Sequence, residues 1–178
     1  MVGLLDSGMS FDEIKEMNEE ENIFGASTKT RRTQIYNSVS ARIKCMDESF
    51  YQVFLSGNVT AQKQFALAAV MAYDTLFFEF VDEVIHEKLL IGNNELIDAD
   101  MRKFFHGKQV QDERVAQWTE ETVQRLGRTY VSILMEAGII EKARMFPRKI
   151  YTTFLDFAVE NWLKEHDMQE IIKALSDR

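Results

Sequence analysis

The side chains with most chemical potential in this chain are cations. Lys29, Arg31, Arg32, Arg42 and Lys44 all fall within residues 27–44, a stretch with no acid, so it carries +5 inside a chain of net charge −8. Its neighbours are acidic: residues 1–26 and 45–97 each carry −6, and residues 98–178 carry −1. An acid-free cationic stretch in an acidic chain points to a local anion-binding face, or to internal pairing with the acids before it. A second group, Lys142, Arg144, Arg148 and Lys149, surrounds Pro147 between two short apolar runs, Ile139-Ile140 and Ile150 to Phe154. Arginine offers a planar fork suited to bidentate phosphate contact, lysine a mobile point charge.

Other constellations fail on spacing. Gly25-Ala26-Ser27-Thr28-Lys29-Thr30 ends like a phosphate-binding loop, but that motif needs glycine where Ile23 and Thr28 stand, and a preceding strand. His86-Glu87 begins like a zinc-protease helix, yet position 90 is Leu rather than His. His86, His106 and His166 lack metal-ligand spacing. Cys45 has no paired His and reads as a small buried hydrophobe. It is the one cysteine, so no intramolecular disulfide forms, which fits a reducing compartment. The acidic runs Glu19-Glu20-Glu21, Asp82-Glu83 and Glu120-Glu121 suit solvated faces and helix N-termini. The residues therefore point to no enzyme, metal or cofactor.

The elements that must position the cations read as helices. With 178 residues, 46% hydrophobic, 8 Gly and 1 Pro, the chain suits one compact, mainly α protein. Ser10 and Glu13 predict a capping box for a first helix ending near Glu21. Ser27 or Thr28 caps a second, basic helix reaching about Lys44, with Ile35, Val39, Ile43 and Met46 as its apolar stripe. Arg31 and Arg42 then share one edge, about 16 Å apart, and Thr33, Asn37, Ser40 and Ala41 form a small outer face. Asp47 caps a short third helix, Thr60 opens an apolar fourth, and Asp74 restarts a fifth that stops at Gly92-Asn93-Asn94. Leu67, Val70, Phe77, Phe80 and Val84 are its expected core. The apolar run 65–81 is interrupted by Asp74 and Glu79, which predicts buried helices rather than a membrane span. The N-terminus lacks a basic n-region, so a cytoplasmic protein is expected.

Residues 1–95 thus read as a helical bundle and residues 96–155 as a second unit. Asp98 caps a helix through Phe105, and residues 107–117 are a connector. Thr119 then caps a helix to Ala137-Gly138. Its buried face is Val123, Leu126, Tyr130, Ile133, Leu134 and Ala137, and Glu121, Arg125, Arg128 and Ser132 face outward. Helix, helix, then a basic β-hairpin is the order of a winged helix-turn-helix. The tail, 156–178, is expected to pack back through Phe157, Trp162, Ile171 and Leu175.

From Lys29 to Ile140 the chain resembles the BrxA family of bacteriophage-exclusion (BREX) defence systems. The likeness runs through Thr30-Arg31-Arg32 and Ala41-Arg42-Ile43, then Phe65 to Ala69, Phe77 to Val81 and Val84 to Lys88. Asp98 to Phe105 and Trp118 to Ile140 complete it, while the tail after Phe154 extends beyond that pattern. The resemblance implies a helical body with a winged helix-turn-helix and no catalysis. It also implies binding to double-stranded DNA and action beside other BREX proteins. DNA contact is then expected from Lys29, Arg31, Arg32, Arg42 and Lys44, the wing cations, and Arg125 and Arg128. The alternative is a structural adaptor that docks a larger effector without touching DNA.

Overall fold

The computed structural model describes residues 1–176. The elements are α1 (Val2–Asp6), α2 (Phe11–Glu21), α3 (Lys29–Ile43), α4 (Phe50–Ser56), α5 (Val59–Tyr73) and α6 (Thr75–Phe80). A π-helical stretch at Val81–His86 then leads into α7 (Glu87–Leu90) and β1 (Glu95–Leu96). There follow α8 (Asp98–Gln111), α9 (Glu113–Ala116), α10 (Glu120–Ala137), β2 (Arg148–Lys149), α11 (Phe157–Glu165) and α12 (Gln169–Leu175). The fold is mainly α, as expected.

Local polar groups set the helix starts. Ser10 and Glu13 form the expected box: the Glu13 N–H donates to Ser10 Oγ at 3.2 Å and the Ser10 N–H to Glu13 Oε2 at 2.7 Å. That backbone hydrogen bond holds the Glu13 carboxyl below its ordinary range. Thr28 caps α3, accepting from the Arg31 N–H at 3.1 Å. Asn58, rather than Thr60, caps α5 through the Ala61 N–H at 3.0 Å, because its side-chain carbonyl reaches the free N–H groups of the first turn. Asp74 caps α6 through the Phe77 N–H at 3.0 Å. There the chain bends by 113°, folding Val59–Tyr73 against Thr75–Leu90.

The bend brings both apolar faces to one core. Phe65, Ala68, Phe77, Phe80 and Val81 are fully buried, and Tyr130 of α10 packs among them. Its ring centroid lies 4.9 Å from that of Phe77 and 5.7 Å from that of Phe80. Burial pushes the Tyr130 phenol far above its ordinary range, and the neighbouring Asp74 carboxylate adds to this. Leu67, Val70, Phe77 and Phe80 are buried as expected, but Val84 is only half-buried. The wide turn of the π-helical stretch advances the inward face by one residue, so Ile85 and His86 take the buried positions. His86 Nδ1 lies 2.8 Å from the Ser176 carbonyl.

Three further expectations shift. The helix from Asp98 runs to Gln111 and α9 follows at once, so the expected connector at 107–117 is largely helical. Gly107 faces open space and does not interrupt α8. In place of Asp98, Asp100 receives the N–H before the helix, from Ile97 at 2.8 Å. On α10 the fully buried line is Gly127, Tyr130, Val131 and Leu134, while Val123, Leu126, Ile133 and Ala137 are half-buried. Gly127 lies on this line against α8: a Cβ there would stand 3.2 Å from Met101 Cε and 3.5 Å from Phe105 Cε2.

The tail packs on α4, α5 and the π-helical stretch. Trp162, Leu163, Ile171 and Leu175 are buried, whereas Phe157 is 78% exposed, contrary to expectation. Buried Gln64 explains why. Its amide donates to the Phe154 carbonyl at 2.9 Å and accepts from the Asp156 N–H at 2.8 Å, fixing the chain before Phe157 can turn inward. Buried apolar residues from Leu5 to Leu175 form one continuous cluster. Among the described residues, no single helix is long and apolar enough to cross a membrane.

Candidate nucleic-acid interface

The basic helix α3 packs on α2 along Tyr36, Ser40 and Ile43, with Ile35 and Val39 half-buried. Ser40 therefore belongs to the inner face and not to the small outer one. The reason is Tyr36, whose large ring is buried and whose hydroxyl donates to the Phe11 carbonyl at 2.7 Å. Ser40 Oγ turns back to the Tyr36 carbonyl at 2.8 Å.

None of Lys29, Arg31, Arg32, Arg42 and Lys44 makes an ion pair among the described residues. The acids of α2 thus do not neutralise α3 by direct contact. Arg32 instead donates to the Glu19 carbonyl, and Lys44 Nζ sits 4.7 Å from the centre of the Phe11 ring. Lys29 and Arg31 are exposed. Arg42 is half-buried in the wall of a cavity between α3, α5 and α10, so it does not share the open edge of Arg31.

The second cationic group is held by a small antiparallel ladder. Glu95 pairs with Lys149 and Leu96 with Arg148, while Ile140 bridges Ile150. The three segments lie in the spatial order 95–96, 148–150, 140. The Glu141 N–H donates to the Lys149 carbonyl at 2.8 Å and the Tyr151 N–H to the Ile139 carbonyl at 2.9 Å. The loop between carries Lys142, Arg144 and Lys149, all exposed. Lys142 pairs with Glu136 at 3.2 Å, and Lys149 Nζ lies 5.7 Å from the centre of the Tyr151 ring. Arg144 has no partner among the described residues.

Arg148 behaves differently from the other cations of this segment. It is 6% exposed and its guanidinium is turned into the loop. One Nη donates to the Ala143 carbonyl, approaches the Glu141 carbonyl at 3.5 Å and lies 3.2 Å from Met135 Sδ. The same guanidinium is 5.2 Å from the centre of the Phe146 ring. Arg148, expected among the DNA-contacting cations, is thus turned away from solvent and closes the loop that carries its neighbours. Loop carbonyls lack the repeating partners of a helix, and a buried one must find a donor.

On α10, Glu121, Arg125, Arg128 and Ser132 face solvent as expected. Glu120 and Glu121 stand at its N-terminus, where their charge suits the helix dipole. Gln124 Nε2 donates to Glu120 Oε1 at 3.1 Å. The remaining concentrated charge is structural. Lys108 is buried between Glu79 at 2.8 Å and Glu83 at 2.6 Å. Burial works against its charge, but the two carboxylates outweigh this and raise its pKa. Among the described residues, no group of His, Cys, Asp or Glu side chains could hold a metal ion.

The candidate cations therefore separate into exposed ones, namely Lys29, Arg31, Lys44, Arg125, Arg128, Lys142, Arg144 and Lys149, and partly or fully buried ones, namely Arg32, Arg42 and Arg148. The sequence had no signal for that division, except for Phe146 two residues before Arg148. It also passed over Lys63, which lines the same cavity as Arg42.

Comparison with known proteins extends the match into the tail. The BrxA family profile matches residues 1–167. The BREX protein BrxA of Bacillus cereus (strain H3081.97) is 36% identical over 174 residues, covering 98% of this chain and 82% of the relative. The BREX protein BrxA of Paramagnetospirillum magneticum (strain ATCC 700264 / AMB-1) is 20% identical, covering 98% and 87% of the two chains. The crystal structure of an uncharacterized protein from Magnetospirillum magneticum superposes with a TM-score of 0.82 at 21% identity, covering 99% of this chain and 90% of that one, which is a likeness of fold. With the family profile spanning nearly all of the chain and more than a third of its residues shared with a curated member, this protein belongs to the BrxA family.

Proposed function

We propose that this protein is a non-catalytic, DNA-binding component of a BREX phage-defence system, acting beside other BREX proteins. Its second half serves as a winged helix-turn-helix unit. In support, α8, α9 and α10 precede a bridged pair of extended segments whose connecting loop is cationic, and β1 flanks that pair. The observation that carries the reading is the closed loop 141–149. Buried Arg148 ties the loop together through the Ala143 and Glu141 carbonyls, and Lys142, Arg144 and Lys149 stand in solvent on it. Fixed cations contact phosphate without the cost of ordering a loop.

Arg125 and Arg128 on α10 add contacts, as do Lys29 and Arg31 on α3. The acids at the α10 N-terminus oppose close approach to phosphate there. Binding is therefore weak and little dependent on base sequence, since phosphate contacts position a protein without reading bases. Fluorescence anisotropy on a mixed-sequence duplex at low salt tests this. Binding that is lost when Lys142, Arg144 and Lys149 are together changed to Gln supports it. No binding by the unaltered protein removes it.

A second reading is a structural adaptor for a larger BREX protein. Phe154 and Phe157, 76% and 78% exposed on the segment pinned by Gln64, favour it. Under that reading Phe154→Ser with Phe157→Ser abolishes capture of other BREX proteins and leaves DNA affinity unchanged.

A further inference from the structure

Two cavities differ in how their charges are satisfied. The first, about 530 Å³, is lined by Lys88, Lys108, Glu83 and Asp100. Two of its three cations are paired: Lys88 with Asp100 at 2.9 Å and Lys108 with Glu83 at 2.6 Å, while Lys103 is exposed to solvent. None of these cations has a solvent-shielded nitrogen that lacks a hydrogen-bond acceptor.

The second cavity, about 380 Å³, lies between α3, α5 and α10. Its walls are apolar and include Val39, Phe54, Phe65, Val70, Ile133 and Ala137. Two cations, Arg42 and Lys63, also line it, and neither makes an ion pair among the described residues. Arg42 Nε is moreover shielded from solvent and has no hydrogen-bond acceptor. Arg32 and Arg148 also leave Nε without an acceptor, but each commits an Nη to a backbone carbonyl, which Arg42 does not. The acid in the same wall, Glu136, is engaged by Lys142 at 3.2 Å.

We propose that this cavity binds a small amphiphilic carboxylate, an aliphatic or arylalkyl acid. The carboxylate meets Arg42 and Lys63, and the apolar body enters between the aromatic and aliphatic walls. A shielded guanidinium nitrogen without an acceptor is costly, and a carboxylate supplies charge and acceptor together in the geometry arginine favours. The volume falls in the roughly 300–1,000 Å³ range of small-molecule sites. An inorganic anion would meet the cations but leave the apolar walls unused, and a neutral lipid would do the reverse.

Calorimetric titration and thermal melting of the full chain with decanoate, below its micelle concentration, test the proposal. Decanol and decylamine serve as matched probes without the negative charge. One decanoate per chain is expected, with a raised melting temperature and at least tenfold weaker binding of both other probes. Arg42→Met and Lys63→Met should each weaken decanoate at least tenfold. Ala66→Trp, at an exposed position in the cavity wall, should block it without altering the core. Glu136→Gln should tighten it by removing a competing anion. Decanol binding as tightly as decanoate would overturn the site, as would decanoate binding that survives both Arg42→Met and Ala66→Trp.

Discussion

Helix α3 and the loop 141–149 are the two segments where positive charge is most concentrated, and they use it differently. In α3 three cations lie across neighbouring surfaces: Arg32 on the Glu19 carbonyl, exposed Lys44 over the Phe11 ring, and Arg42 in a cavity wall. The helix satisfies its own backbone without them. In the loop, Arg148 is turned inward onto the Ala143 and Glu141 carbonyls, and the other three cations remain exposed, Lys142 beside Glu136. An arginine in a helix is an accessory to packing, whereas one buried in a loop is part of the loop's backbone chemistry. Charge density along a sequence therefore overstates the charge offered to a ligand, and the secondary structure decides which residue is withdrawn.

The largest expected effect tests the support beneath the loop. Phe80 is fully buried, with its ring centroid 5.1 Å from that of Phe104 and 5.7 Å from that of Tyr130. Phe80→Ala should cost about 3–5 kcal/mol in urea unfolding through lost burial and a residual cavity. Parental stability would mean that this aromatic contact does not hold α8 and α10 together.

The comparison itself breaks or stands on two arginines. Arg148→Met should destabilise by about 1.5–3 kcal/mol, because it removes the hydrogen bonds that a buried charged donor makes to the loop. Arg32→Met should cost about 0.5–1.5 kcal/mol, as it removes one hydrogen bond at a surface where water can replace it. Equal costs in denaturant titrations would erase the distinction between helix and loop.

A pH titration sharpens the link between α10 and the bend. Tyr130 is buried beside Asp74, with its hydroxyl 3.4 Å from Asp74 Oδ1, and its pKa is raised. A group with a raised folded-state pKa gives stability that is complete below the unfolded value and lost as pH rises. The melting temperature should therefore decline above about pH 10, where an unfolded tyrosine ionises. Lys108, raised by Glu79 and Glu83, contributes in the same alkaline window. Tyr130→Phe should make the alkaline decline shallower. An unchanged slope would mean that Tyr130 is not protected from ionisation.

Much of the helical frame was legible because its signals are local. The Ser10–Glu13 box, the Thr28, Asp74 and Thr119 caps and the Gly138 stop all act within one turn. What periodicity missed came from longer-range packing. Gly127 reads as a weak helix residue until Met101 stands against it, and the π-helical stretch displaces Val84 in favour of Ile85 and His86. Strand β1 is two residues long and exists through its pairing with residues distant in sequence. The cationic segments were legible as charge, but the inward turn of Arg148 depends on carbonyls presented only once the loop has closed.

The most direct test is the salt dependence of duplex binding, measured for the parent and for the variant with Lys142, Arg144 and Lys149 all changed to Gln. For the parent, log affinity should fall linearly with log salt by about 0.9 per phosphate neutralised. The triple variant should lose roughly three units of that slope, with its melting temperature unchanged because all three side chains are exposed. Parallel salt plots for the two proteins, or no salt dependence in the parent, would show that the loop 141–149 does not hold DNA.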